Sequence, residues 1–141
     1  GKRIFTPILM IKIASQGDCF ELIGPLGAGK TTFVREWIRK RAPKKVRQVV
    51  SPTFILHARY DLPSGPVHHM DWYRLKSEAD VLSLGWEEIM SEPHAAIFVE
   101  WADKFPKLLP NDRVEIHFEH TARPDRRKIS MRRVGRKGKR K

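Results

Sequence analysis

A single cysteine, Cys19, stands among 141 residues, so no disulfide can form within the chain, and a reducing compartment is expected. No apolar run approaches the roughly 20 residues that a helix needs to cross a bilayer, and no membrane partner is expected. The basic N-terminus lacks a signal-peptide cleavage pattern. The chain opens on Gly1 in place of Met, as a trimmed chain would. A guanine-reading N-K-x-D stretch is missing; "NDRVE" at 111–115 is not one, which sets GTPases aside. Clustered metal ligands are missing too. His117 and His120 stand three apart with no third ligand at hand, and His68 and His69 simply precede Asp71. A cytoplasmic protein is expected.

What is abundant is positive charge, and it is unevenly placed. The net charge is +12, yet residues 122–141 alone carry eleven Lys or Arg against one acid. The preceding 121 residues hold 17 bases and 15 acids, so the part able to fold is nearly neutral. A second basic cluster lies in "RKRAPKKVR" at 39–47. Such runs are either solvated faces and frayed tails, or contacts to RNA phosphates driven by counterion release. One domain fits the length. Residues 1–134 are taken as that domain and 135–141, "GRKGKRK", as a basic disordered tail.

Along the chain, "IFTPILMIKIA" is apolar, but Pro7 prevents one long helix from residue 4. "CFELIG" reads as a short buried strand starting at Cys19, whose thiol is expected to act as a small buried hydrophobe. "TTFVREWIRKR" then sets Phe33, Val34, Trp37 and Ile38 on one helical face, with a basic last turn and Pro43 as its stop. Strands are expected at "VRQVV", "FILHARY", "PVHHMDW", "AAIFVEW" and "RVEIHFEH", the last pairing with "RRKISMRRV" through the "TARPD" turn. "KSEADVLSLGWEEIM" is helical, with Ser77 and Asp80 at capping-box spacing and Gly85 dividing it. Strands alternating with helices give an α/β class: a three-layer P-loop-type sandwich on a mainly parallel sheet, antiparallel near the C-terminus.

The informative stretch is "ELIGPLGAGKTTFVREW", residues 21–37. Gly24, Gly29, Lys30 and Thr31 match G-x-x-x-x-G-K-[ST], with a strand entering and a helix leaving. Glycines let successive backbone N–H groups turn inward on phosphate oxygens, and the helix N-terminus adds its positive end. Lys30 is placed to bridge outer phosphates, and the Thr31 hydroxyl to hold Mg²⁺. Acids at strand ends are the natural partners of such a metal. Glu100 ends "AAIFV" and Asp71 follows "PVHHM"; either can reach the metal or its waters, orient an attacking water, or simply be a carboxylate at a strand terminus.

Three chemistries remain open. A small-molecule kinase needs an acceptor pocket and usually an arginine-bearing lid, for which "RAPKKVR" is a poor candidate. A basic RNA-binding module with a nucleotide switch would use the tail. Slow ATP hydrolysis coupled to a partner fits the short chain best.

Four motifs in order then resemble one family. "GPLGAGKTT", "VSPTF" with Tyr60 downstream, "HMDWYRL" and "FVEWADKFPKLLP" look like the TsaE (YjeE) family, P-loop ATPases of tRNA threonylcarbamoyladenosine (t6A) synthesis. The resemblance spans about residues 17–134. It implies a phosphate cradle from Gly24 through Leu26, Gly27, Ala28, Gly29, Lys30, Thr31 and Thr32, with ATP and Mg²⁺ as cofactors. It implies Thr53 as a switch threonine, Asp71 as the metal-side aspartate and His69 as part of H-x-D. Glu100 becomes the catalytic glutamate beside the metal, alongside Lys30, and Trp101 a neighbour of the nucleotide. Trp101 could equally be packing, and Tyr60 and Tyr73 simple core tyrosines. Family membership further implies a TsaB–TsaD heterodimer as partner, with TsaD performing the transfer and this chain coupling ATP turnover to it. The tail adds tRNA as a candidate contact.

The sequence departs from the family pattern in places. The segment before the P-loop strand is short and contains Pro7, Trp72 stands where an aliphatic residue is usual, and Ala102 replaces a frequent proline.

Overall fold

The computed structural model describes residues 3–5, 11, 14–25, 27–49, 55–123 and 127–135. In order, the elements are β1 (Arg3–Phe5), β2 (Cys19–Ile23), α1 (Lys30–Arg41), β3 (His57–Leu62), β4 (Gly65–Asp71), α2 (Glu78–Ser83), α3 (Trp86–Ser91), β5 (Ala96–Glu100), β6 (Arg113–His120) and β7 (Arg127–Val134). Among the described residues one sheet contains all seven strands, in the order β1-β7-β6-β2-β5-β4-β3. The four central strands β6-β2-β5-β4 run parallel. Antiparallel pairs close both edges: β6–β7 and β7–β1 on one side, β3–β4 on the other. The expected C-terminal hairpin is thus present, and a second antiparallel edge accompanies it.

Strand periodicity divides the core in two. Phe20 and Leu22 of β2, Ala96 and Phe98 of β5 and Val67 of β4 point to the face that α1 covers. Cys19, Met70, Ile97 and Val99 point to the other, covered by α2, α3 and the 3₁₀ turns Ala102–Lys104 and Pro106–Leu108. The result is three layers. On the first face α1 buries Phe33, Val34, Trp37 and Ile38, the four residues its spacing set on one side. Phe98 is the hub there: Phe20 stacks on it at 4.8 Å, and Trp37 meets it edge-on at 5.2 Å. Completely burying a side chain of that size stabilises the fold by about 1.5–3 kcal/mol. Trp37 Nε1 donates to the Ala14 carbonyl, and Arg41 lies over the Trp37 ring while donating to that same carbonyl. The basic last turn is therefore partly packing as well as charge.

On the second face, Trp72 and Trp86 cross at 5.1 Å, nearly perpendicular. Ser77 caps α2 as expected: its hydroxyl accepts from Asp80 N, and Asp80 returns an acceptor to Ser77 N. Gly85, at φ 86°, separates α2 from α3. The Cys19 thiol is buried at the start of β2, which pushes its pKa up to about 12, so it packs as a hydrophobe.

Two element boundaries differ from the sequence reading. "VRQVV" is not a strand over its described part, because Pro43–Gln48 form a 3₁₀ helix. Pro43 opens it with a φ already suited to a helical turn. "FILHARY" becomes extended only at His57, after a turn in which Leu56 adopts φ 70°. Val50, Phe54, Pro7 and residues 8–10, 12 and 13 after it lie outside the described residues, as do 136–141.

Candidate phosphate site

The carboxyl end of β2 feeds the turn 24–29, which opens directly into α1. A Cβ on Gly24 would lie 2.5 Å from the Phe118 carbonyl oxygen, so only glycine lets the loop leave β2 against β6. Gly29 caps α1 at φ 100° with no side-chain cap, and the first helical turn has no acid. The positive end of α1 is therefore not neutralised by its own residues, which suits an anion. Ala28 is buried, while Gly27 and Thr32 are exposed. Leu26 and Thr53 lie outside the described residues.

Topology brings the distant acids to this loop. Asp71 and Glu100 are register partners at the ends of β4 and β5, and Leu22 is the partner of Glu100 on β2. Alternation turns both acids toward the face that α1 covers, beneath its N-terminus. Both are buried. Thr31 Oγ1 donates to Glu100 Oε2 at 3.0 Å, and His69 Nε2 contacts the same oxygen at 2.7 Å. Asp71 Oδ1 accepts from Tyr73 N at 2.8 Å. Lys30 Nζ donates to the Gly24 carbonyl at 2.6 Å and lies 4.1 Å from the centre of the Trp101 ring.

The electrostatics follow from burial and these contacts. Burial pulls the Lys30 pKa down, against the opposing pull of Glu100, Asp71 and Asp103. Burial would raise the Glu100 carboxyl, but the hydrogen bond and charge of His69, the Thr31 hydroxyl and Lys30 hold it below the usual carboxylate range. Glu100 is therefore an acceptor-only anion at neutral pH.

Beside the loop lies a cavity of about 250 Å³, bordered by Ile23, Gly24, Pro25, Lys30, Trp101 and Asp103. Trp101 reaches it from a left-handed turn at φ 60° and is backed by Tyr73 at 5.1 Å between ring centres. Tyr73 is 53% exposed, so it is no core tyrosine; Tyr60 is one.

The donors present fit a polyphosphate with a hard cation. A hydroxyl and two carboxylates are oxygen ligands of the kind Mg²⁺ takes, and that ion keeps several waters and phosphate oxygens. Among the described residues no group of three or more His, Cys, Asp or Glu could hold a metal by itself. Phosphate oxygens would have to complete such a shell.

Two features were not assigned a role from sequence. His69 is only a letter of H-x-D in the sequence, since its contact with Glu100 depends on strand register. Asp103 borders the cavity two residues past Trp101, inside "FVEWADKFPKLLP", a motif that by itself gives it no role. Away from the site, His57 Nε2 meets His68 Nδ1 at 2.8 Å, His68 Nε2 meets Glu92 at 2.6 Å, and Arg59 donates to Glu92 at 2.7 Å. That chain ties the β3–β4 edge to the end of α3. His117 pairs with Glu115.

Comparison with known proteins gives concordant matches. A family model described as "Threonylcarbamoyl adenosine biosynthesis protein TsaE" matches residues 6–129. The chain is similar to the tRNA threonylcarbamoyladenosine biosynthesis protein TsaE of Bacillus subtilis, 35% identical over 127 residues, covering 90% of this chain and 77% of that one. The protein of the same name from Rickettsia typhi is 36% identical over 102 residues, covering 72% and 69%. Among solved structures, that of Bacillus subtilis YdiB superposes with a TM-score of 0.63 at 26% identity, covering 96% of this chain and 86% of that one. No helix among the described residues is long and apolar enough to cross a membrane.

Proposed function

The chain belongs to the TsaE family of threonylcarbamoyl adenosine biosynthesis proteins, and from that premise we propose that it is a Mg²⁺-dependent ATPase whose turnover drives the t6A modification of tRNA. The observation that carries the reading is the convergence of Lys30, Thr31, Asp71 and Glu100 beneath the N-terminus of α1.

The loop from Gly24 through Leu26, Gly27, Ala28 and Gly29 to Thr32 holds the phosphates with backbone N–H groups. Lys30 leaves the Gly24 carbonyl and the Trp101 ring to reach outer phosphate oxygens. Thr31 would give up its hydrogen bond to Glu100 to hold Mg²⁺, with Asp71 and Glu100 as the further oxygen groups available to the ion or its waters. Mg²⁺, when bound, neutralises charge on the outer phosphates. Glu100, freed from Thr31, accepts a hydrogen bond from the attacking water and aligns it. Thr53 senses the outer phosphate, and Trp101 borders the nucleotide. Residues 1–134 form the ATPase domain, and the 135–141 tail contacts tRNA phosphates. The partner is a TsaB–TsaD pair, in which TsaD performs the transfer itself, in the cytoplasm.

Phosphate release from MgATP, measured for the chain alone and with a TsaB–TsaD pair, tests this. The expected result is slow basal hydrolysis stimulated by the pair. Calorimetry showing no heat with MgATP would remove the nucleotide reading. Phosphate passing to an alcohol in place of water would make the protein a kinase.

A further inference from the structure

Both hydrogen bonds that reach the Glu100 carboxylate from the described residues fall on Oε2. One comes from Thr31, whose hydroxyl is the group the metal would claim. The other comes from His69, 0% exposed on β4, two residues before Asp71. Among the described residues its Nδ1 has no partner, so the polar contact they supply to orient the ring is the 2.7 Å one to Glu100. A buried imidazole with one unmet nitrogen carries a cost of about 1–3 kcal/mol, and it persists here where its other nitrogen meets the acid.

We propose that His69 is a positioning residue for hydrolysis: its Nε2–H pins Glu100 Oε2, before and after nucleotide loading, so that Oε1 is the oxygen presented to the attacking water. Thr31 is a transient partner of Glu100 and His69 the permanent one. Without His69 the carboxylate would rotate once Thr31 turned to the metal, and the water would lose its alignment while the phosphate cradle stayed whole. The inference rests on the hydrolytic reading above, but its first test does not.

In ¹⁵N spectra of the nucleotide-free protein, His69 should carry a proton on Nε2, and that resonance should move in Glu100→Gln. An Nε2 without a proton, or one insensitive to Glu100→Gln, overturns the proposal whether or not the chain hydrolyses ATP. The second test uses three variants with a fluorescent nucleotide and Mg²⁺. His69→Ala should bind nucleotide within about threefold of the parent and lose about 10–100-fold in kcat, the range seen when groups that orient a site's ligands are removed. His69→Gln, whose amide N–H can take the place of Nε2–H, should recover most of the rate. His69→Asn, whose amide corresponds to the unpartnered Nδ1, should not. Equal loss in the Gln and Asn variants, or unchanged kcat in His69→Ala, overturns it. Should His69→Ala fail to fold, the Gln–Asn contrast and the spectra still decide. A parent with no hydrolysis at all would count against the functional reading, and the spectra alone would then judge the pin.

Discussion

Lys30 holds its ammonium 4.1 Å from the centre of the Trp101 ring while donating to the Gly24 carbonyl. The cation that should grip phosphate is parked on an aromatic face and a carbonyl, contacts worth about 0.5–2 kcal/mol for the ring. Phosphate competes with both. Trp37, Trp72 and Trp86 are fully buried, so Trp101 is the tryptophan whose surroundings change when Lys30 moves. Adding MgATP should therefore shift tryptophan emission, and Trp101→Phe should abolish the shift. A full-sized shift in Trp101→Phe would show that Lys30 and Trp101 do not part on binding.

The departure of the loop from β2 sets a second expectation. A methyl group at Gly24 would stand 2.5 Å from the backbone oxygen of Phe118, an atom that cannot swing away. Gly24→Ala should push the loop off β6, costing about 1–3 kcal/mol as overpacking does, and weaken nucleotide binding at least about tenfold, some 1.4 kcal/mol. Urea unfolding and nucleotide titration read the two effects separately. Normal affinity in Gly24→Ala would mean that the loop tolerates the shift.

Trp72 and Trp86 offer a matched pair. Both are fully buried, and they touch each other. Trp86 Nε1 donates to the Leu108 carbonyl at 2.8 Å, whereas the Trp72 indole N–H has no partner among the described residues. Trp→Phe at 86 deletes a hydrogen bond; at 72 it deletes an unmet donor. With similar volume lost, Trp86→Phe should be more destabilising than Trp72→Phe by about 1 kcal/mol. Equal urea midpoints would show that the Leu108 contact contributes nothing. The unmet donor also fits the sequence observation that a tryptophan occupies a position where an aliphatic residue is usual.

What the sequence revealed, and what it hid, follows from the range of each interaction. The face of α1, the Ser77–Asp80 cap and the break at Gly85 are local patterns, so spacing alone exposed them. The P-loop was legible for the same reason: its glycines, lysine and threonine all lie between residues 24 and 31. "VRQVV" misled because five residues can satisfy a strand's alternation, while Pro43 and the Lys45 N–H bond to Ala42 favoured a 3₁₀ turn. Which acids meet the loop was inferred from strand ends, and the parallel register of β4, β5 and β2 places them together. His69 could not be read this way. Its partner lies 31 residues on, across a strand pair whose register no local pattern states.

Acid should weaken the fold in two steps. The His57 pKa is lowered by burial, and also by the neighbouring His68 and Arg59. A folded-state value below the ordinary 6.5 means the unfolded chain binds that proton first, so this contribution is whole above about 6.5 and is lost as pH falls below it. Burial would raise Glu115, but the hydrogen bonds and charges of His117 and Arg132 hold it below its ordinary 4.5, as His69, Thr31 and Lys30 do for Glu100. Their contributions stand above about 4.5 and disappear as pH falls through the lowered folded values. Urea midpoints should thus decline between pH 7 and 5.5 and fall again below 4.5. His57→Gln should flatten the first decline, and Glu115→Gln should reduce the second while leaving the first. A midpoint that rises from pH 7 to 5.5 would mean that folding takes up protons in this range, so that the cost of burying His57 does not set the acid response of the fold.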